Sequence, residues 1–195
     1  MKSDKSTIIA VIIVIIILVT ASFVIYNIRH RDNYTYKDFK VQKTSFGWSV
    51  LAFVNEQPYL LNLRYDPKSV ENITIDKNVR KQLLSKPTAY LTVNTDMKGT
   101  SVIAAVEIAN IISRKLGIFN IETIGALTGY VNNATPVITC KNITPKTNVI
   151  WLRTGLETKV FLEKECIIIQ GINEEEIARA ADRLIYEVLT IVDKK

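Results

Sequence analysis

The sequence predicts an N-terminal transmembrane helix followed by one α/β or α+β domain built on a mixed sheet. Three features indicate this class: an uncharged apolar run at the N-terminus, a strand–helix–strand pattern near the middle, and a strand-rich stretch that ends in an amphipathic helix. The 195 residues divide into an n-region at 1–5, a transmembrane helix at 6–28, a polar juxtamembrane linker at 29–44 and an α/β domain at 45–195.

The apolar run "STIIAVIIVIIILVTASFVIYNI" carries no charge. As a helix at about 1.5 Å per residue it reaches about 34 Å, which is enough to cross a hydrocarbon core of about 30 Å. A soluble helix of this kind needs apolar neighbours on every side, and the rest of the chain can hardly supply them. The run also continues well past the small residues Val19-Thr20-Ala21, so a retained anchor is predicted rather than a cleaved signal peptide.

Immediately before this run, "DKS" at residues 4–6 resembles the site at which archaeal pilin-type precursors are processed. Processing after Ser6 would free an apolar helix to pack in a filament, and a pilin-like filament subunit is therefore an alternative prediction. The polar residues at 29–33 count against it, because such subunits usually continue their helix well past the apolar run.

Charge and composition give conflicting signals about orientation. Lys2 and Lys5 precede the span and five basic residues follow it within residues 29–43, so a literal positive-inside count places the domain in the cytoplasm. That rule is weakest for a long following domain, which translocates largely regardless of charge. The cysteine pair and four Asn-x-Ser/Thr sequons favour the opposite topology, with the N-terminus inside and the domain outside.

The sequons are modest support for this topology. About two are expected by chance, and the last two are followed directly by proline, a poor context for glycosylation. The possible N-glycosylation sites are Asn33, Asn72, Asn133 and Asn142. The net charge of +6 is spread along the chain without a run of basic and aromatic residues, so no nucleic-acid partner is predicted.

The domain opens with a predicted hairpin, "WSVLAFV" (48–54) and "YLLNLRY" (59–65), joined by "NEQP". A short polar helix follows at 76–84. A β-α-β unit comes next, with strands at 89–94 and 121–127 around a helix at 99–117. The apolar stripe predicted to cover the sheet from this helix consists of Val102, Val106, Ala109, Ile112 and Leu116.

Four strands are predicted after this unit, at 136–140, 148–153, 159–163 and 166–171. The runs "VIWL" and "CIII" are apolar on both faces, which indicates central strands. Asn173 is predicted to cap the closing helix, with Glu176 returning the bond. The predicted buried face of that helix comprises Ile177, Ala181, Leu184, Ile185, Val188 and Leu189.

Little in the sequence indicates catalysis. The single histidine, His30, lies in the polar linker, which excludes Ser-His, Cys-His and multi-histidine zinc sites in the domain core. The sequence also has no dinucleotide fingerprint, phosphate-binding loop or nucleophile elbow, so we predict no catalytic residues, no metal site and no cofactor. A hydrolase using carboxylates or a Ser-Lys pair is the remaining enzymatic alternative.

Two acidic residues in apolar helices invite a general-acid interpretation, Glu107 and Asp182. Each shares one helical face with other polar residues: Asn110 and Arg114 accompany Glu107, and Arg179 and Arg183 accompany Asp182. The spacing therefore predicts solvated faces with structural roles.

The only two cysteines, Cys140 and Cys166, admit three interpretations: a disulfide, two buried thiols, or a reactive thiol. The disulfide is favoured, because closing a loop of this length removes unfolded-state entropy worth about 3.5 kcal/mol on the chain-entropy model. Cys140 is predicted to end one strand and Cys166 to start another, so a bond between them would join neighbouring strands.

Three segments resemble an uncharacterised family of small membrane-anchored archaeal proteins: "AAVEIANIISRKLGIFNIETIGALT", "TPVITCKN" and "NVIWLRTGLETKVFLEKECIIIQGINEEEIARAADRLIYEVL". The resemblance covers most of residues 45–192. It implies an N-terminal anchor and an extracytoplasmic α/β domain with a cysteine pair at Cys140 and Cys166, and it implies no activity. The resulting prediction is a non-enzymatic, single-pass envelope protein whose partners are membrane lipid, through 6–28, and another envelope or surface component.

Overall fold

The computed structural model describes residues 3–37, 39–54, 56–97, 99–115 and 117–190, with the backbone alone at 3–7 and 27–32. The first element is α1 (Ser3–Asp32). Its segment Ile8–Tyr26 has a mean hydropathy of 3.4 and is not buried against the rest of the chain, as a membrane anchor requires. The side chains of Ser6 and His30 lie outside the described residues.

A small antiparallel sheet follows α1 directly. Its strands lie side by side in chain order: β1 (Asn33–Tyr36), β2 (Phe39–Thr44), β3 (Gly47–Val54) and β4 (Gln57–Leu63). The predicted hairpin is confirmed as β3 and β4, with Val50 opposite Leu61. The segment predicted as a linker at 29–44 differs, because most of it forms β1 and β2.

This small sheet buries one face, and the side chains of β4 alternate between that face and solvent. Leu61 and Leu63 are buried whereas Leu60 is 67% exposed. The inner face joins the same core as the helices and the second sheet. The first hairpin therefore forms a separate sheet instead of joining one mixed sheet.

The second sheet has six strands in the order β5-β9-β10-β8-β6-β7. Only the β9–β10 pair is antiparallel. The central position predicted for "VIWL" and "CIII" is confirmed, since every residue of β10 is buried. The strands are β5 (Thr74–Ile75), β6 (Thr88–Val93), β7 (Glu122–Leu127), β8 (Thr147–Thr154), β9 (Lys159–Glu163) and β10 (Cys166–Gly171).

Four helices accompany this sheet: α2 (Pro67–Val70), α3 (Val79–Leu84), α4 (Gly99–Ile112) and α5 (Glu174–Val188). The predicted β-α-β unit is confirmed as β6, α4 and β7, whose strands pair in parallel. The predicted closing helix is α5, and all six residues of its predicted face are buried. Asn173 caps α5 by accepting a hydrogen bond from the amide of Glu176, but the Glu176 carboxylate binds Thr158 and Arg179 instead of returning the bond.

The face that α4 buries overlaps the predicted one at Ile112 but differs at the two valines. Val102 and Val106 are 43% and 51% exposed, and Leu116 lies outside the described residues. Because α4 is apolar on most of its circumference, its periodicity does not select one face, and small side chains allow closer packing against the sheet. The residues that α4 buries are Ser101, Ala104, Ala105, Ile108 and Ile112.

The face of the large sheet away from the helices is covered by the segment 129–146. Its contacts with the sheet form a second apolar cluster that includes Val149, Cys166 and Ile168. The strand predicted at 136–140 is wrong, because Val137 makes only an isolated bridge to Leu127 and a 3-10 turn runs from Cys140 to Asn142.

Candidate functional site

An apolar groove runs between α4 and the edge strand β7, with a volume of about 380 Å³. The exposed valines of α4, Val102 and Val106, form one wall. Sheet residues from β6 and β7, including Leu91, Gly125 and Leu127, form the floor. No charged side chain lines the groove among the residues that the structure describes. Its chemistry therefore favours an apolar, uncharged ligand.

The strand β7 leaves one backbone edge unpaired beside this groove. Hydrogen bonds to β6 begin at the Glu122 amide, which binds the Pro87 carbonyl, and end at the Thr128 amide, which binds the Val93 carbonyl. Because amide direction alternates along a strand, the Thr123 and Gly125 amides point away from β6. Within the described residues, no strand pairs with that edge between Glu122 and Ala126.

The chain itself shows how this edge can be extended. The Leu127 amide donates to the Pro136 carbonyl at 3.1 Å, and the Ile138 amide donates to the Leu127 carbonyl at 2.9 Å. The segment 129–146 thus pairs with the last residue of β7 and closes the groove at that end, where Thr135 contributes to the lining. An extended peptide that continued this pairing would cover the remaining edge.

The two cysteines form the favoured disulfide. The bond joins Cys140 and Cys166 with Cα atoms 5.4 Å apart, and Cys166 is completely buried. Cys140 begins a 3-10 turn and does not end a strand, so the bond attaches the segment 129–146 to the central strand β10. It therefore holds in place the segment that closes one end of the groove. A disulfide fits an oxidising compartment.

All four sequon asparagines are exposed. Asn133 accepts a hydrogen bond from the Tyr130 hydroxyl, and Asn142 accepts one from the Thr139 amide at the 3-10 turn. Asn33 and Asn72 lie at the start of β1 and just after α2. Glycosylation at these sites stays a prediction.

The predicted solvated face on the last helix is wrong. Asp182 and Arg183 are 0% and 2% exposed. Arg179, which shares that face, is partly exposed, binds Glu176, and donates to the Ser69 carbonyl. The prediction is wrong because α4, α2 and the segment just after β4 pack on the side of α5 that the large sheet leaves open. Contacts with residues so distant in the chain cannot be predicted from helical spacing.

Burial raises the pKa of Asp182 to about 7. The Tyr65 amide, which donates to its Oδ2, and the Arg64 guanidinium lower the pKa, whereas the neighbouring Glu107 carboxylate raises it. The other oxygen, Oδ1, has no hydrogen-bond partner among the described residues. Because its side chain is wholly buried, Asp182 is not accessible to a ligand in this structure.

Glu107 takes part in contacts between elements of the fold. Its carboxylate pairs with Arg64 of the segment after β4, with Nε and Oε1 3.1 Å apart, so it links α4 to the small sheet. The tyrosine next in the chain, Tyr65, donates to Glu175, and burial together with this bond raises its pKa to about 12. These contacts join the segment after β4 to α4 and to the first turn of α5.

The sequence did not identify the groove or the open edge. The available signal was the uncharged run "TIGAL" in β7 together with Val102 and Val106, which are four residues apart and therefore lie on one side of α4. Comparison of the chain with protein-family models, with curated proteins and with solved structures finds no match.

Proposed function

We propose that this chain is a single-pass, membrane-anchored protein of the cell envelope whose domain faces outward and acts as a non-enzymatic binding module. Its ligand is an extended, apolar segment of another envelope or surface protein, added as a strand to the open edge of β7. The apolar helix Ile8–Tyr26 and the disulfide support an anchored domain in an oxidising compartment. We also propose that the chain is related to the archaeal membrane proteins that its sequence resembles.

The observation that carries the binding role is the open edge of β7 beside the α4–β7 groove. Outward-pointing amides at Thr123 and Gly125 supply main-chain pairing, and the groove accepts alternate side chains of the added strand. Gly125 leaves open space where a side chain would stand. Charged side chains, bulges and covering segments at a sheet edge discourage strand addition. Within the described residues, the edge of β7 between Thr123 and Ala126 has no charged side chain, no bulge and no covering strand.

Co-purification of the full chain from solubilised membranes tests this role. The Val106→Asp variant places a charge in the groove, and Thr123→Pro removes an outward amide of β7. Leu156→Asp is the matched control, because Leu156 is fully exposed away from the groove.

We expect a partner that is retained by the native chain and by Leu156→Asp and lost by both groove variants. Retention of the same partner by Val106→Asp and Thr123→Pro, or isolation of the native chain alone, contradicts the proposal.

A further inference from the structure

The hairpin between β2 and β3 ends in an exposed aromatic residue. Phe46 is 94% exposed at the tip of the turn. The turn is ordered by Thr44, whose hydroxyl donates to the Gly47 carbonyl at 3.1 Å and accepts from the Phe46 amide. Gly47 has φ +136°, and a Cβ there would lie 2.3 Å from the Leu63 carbonyl oxygen, so the turn requires glycine.

Strand pairing places this tip on the side of the small sheet where the membrane helix enters. Asn33, the first residue of β1, lies opposite Gln42 of β2. From Gln42, the chain of β2 continues beyond the level of Asn33, through Lys43 and Thr44, to the tip. At about 3.3 Å per strand residue, Phe46 lies within about 13 Å of Gln42.

The anchor fixes which way this side faces. The apolar span ends at Tyr26, and about 10 Å of helix separates that residue from the start of β1. Since the polar domain cannot enter the hydrocarbon core, β1 must lead away from the membrane. Its antiparallel partner β2 therefore leads back toward the membrane, and the tip projects toward the headgroups.

The two segments on the membrane side are basic. Residues 29–33 and 43–47 hold Arg29, Arg31 and Lys43 against the single acid Asp32. On the opposite side of the small sheet, the described turn residues carry one charge of each sign, Lys37 and Glu56, so that side has no basic excess. A basic, aromatic tip suits an anionic lipid surface, where an aromatic ring enters the interface and lysine meets the headgroups.

We propose that the β2–β3 hairpin tip, residues 43–47, is a second membrane contact that inserts Phe46 into the anionic headgroup region of the bilayer that holds α1. Two attachment points, α1 and the tip, fix the tilt of the domain. This contact does not depend on the peptide-binding role proposed for β7, because it uses a different sheet.

Fluorescence of the full chain in phospholipid vesicles tests the contact. Phe46→Trp places a reporter at the tip, and Phe53→Trp is the matched control, since Phe53 is 60% exposed near the far end of β3. Both variants retain the native Trp48 and Trp151, so the two added signals are compared directly. The vesicles contain phosphatidylcholine with phosphatidylglycerol and, in parallel, a lipid brominated near the headgroup.

We expect the tryptophan at 46 to be quenched by the brominated lipid, to emit at shorter wavelength, and to be quenched by aqueous acrylamide severalfold less than the tryptophan at 53. Adding Lys43→Glu is expected to reduce the lipid quenching in anionic vesicles and to have little effect in pure phosphatidylcholine. Equal acrylamide quenching at both positions, or equal quenching by the brominated lipid, overturns the proposal. Because position 46 is almost wholly exposed, the substitution does not disturb the core, and intact near-ultraviolet circular dichroism checks this.

Discussion

The carboxylate of Asp182 accepts a hydrogen bond from the backbone amide of Tyr65, with Oδ2 and N 2.8 Å apart. One turn further along α5, the Tyr186 hydroxyl donates to the Tyr65 carbonyl at 2.7 Å. Both polar groups of the Tyr65 backbone are thus satisfied by α5, at the point where the chain leaves the small sheet. This pair of bonds couples the sheet next to the membrane anchor to the core of the domain.

The first prediction follows from the pKa of Asp182, which burial raises to about 7, above the ordinary value of about 4. The folded state therefore binds a proton that the unfolded state has released, so this group's contribution to stability falls as pH rises from about 4 to about 7 and is constant above. An asparagine has no such proton to release, so we expect Asp182→Asn to remove this loss of stability. At about 1.4 kcal/mol per pH unit, the free energy of unfolding gains up to about 4 kcal/mol relative to the native chain. The side-chain oxygen of the asparagine can still accept the hydrogen bond from the Tyr65 amide.

Denaturant unfolding of the full chain in detergent at several pH values measures this effect. The free energy of unfolding of Asp182→Asn relative to the native chain should grow between pH 4 and 7. Asp96→Asn, at an exposed carboxylate, is the control. A difference that is independent of pH would show that Asp182 is ionised in the folded protein throughout this range.

The second prediction concerns the disulfide. Cys140→Ser releases the segment 129–146 from β10, and the chain-entropy model gives a loss of about 3.5 kcal/mol for a loop of this length. We expect amide exchange in 129–146 to accelerate before exchange in β8 and β10, because those strands keep their own pairing. Reducing the native chain should reproduce both effects, and unchanged exchange in this segment after reduction would contradict the prediction.

The third prediction tests the assignment of the α5 core face. Leu184 is 1% exposed, so Leu184→Asp buries an unpaired charge that costs several kcal/mol against a total stability of about 5–15 kcal/mol. We expect the domain to unfold. Leu156→Asp makes the same chemical change at a fully exposed position and should leave circular dichroism and thermal unfolding unchanged. A folded Leu184→Asp domain would mean that this face of α5 is not in the core.

The fourth prediction concerns the buried ion pair of Arg183 and Glu187, whose Nη1 and Oε2 atoms are 3.3 Å apart and whose side chains are each 2% exposed. Glu187→Leu leaves the guanidinium uncompensated and should cost about 3–5 kcal/mol. The double variant Arg183→Met/Glu187→Leu removes both charges and should recover most of that loss. Equal destabilisation by the single and double variants in denaturant unfolding would argue against this interpretation of the pair. Glu157→Leu, at a pair with Lys159 on the exposed surface, should change stability little.

Local patterns predicted the parts of this fold that depend on local physics. The uncharged run before Tyr26 identifies the apolar helix, and alternation identifies β4. The helical spacing of apolar residues identifies six buried positions on α5, although it does not show that Asp182 and Arg183 are buried too. The cysteine pair was predicted from chain entropy and compartment, although Cys140 lies in a turn. The strand predicted at 136–140 does not form, because Ile138 is buried by packing on the sheet without a ladder, and Val137 is 43% exposed and makes only an isolated bridge.

The remainder depends on contacts between residues far apart in the chain. Spacing alone could not show that the segment at 33–44 joins a sheet, nor that Asp182 lies beneath Tyr65. The groove went unpredicted for a similar reason, because α4 offers two apolar faces and only the small residues Ala104 and Ala105 decide which one meets the sheet.

Thiol labelling of intact cells tests most directly whether the domain faces outward. Cells are treated with or without a membrane-impermeant reductant and washed, a membrane-impermeant maleimide is then added, and labelling of Cys140 and Cys166 is measured. An outward domain predicts no labelling without reductant and labelling of the partly exposed Cys140 with it, whereas the buried Cys166 labels only after denaturation. Absence of labelling in intact cells under both conditions, with both thiols free once the cells are lysed and denatured without reductant, would place the domain inside and contradict the account.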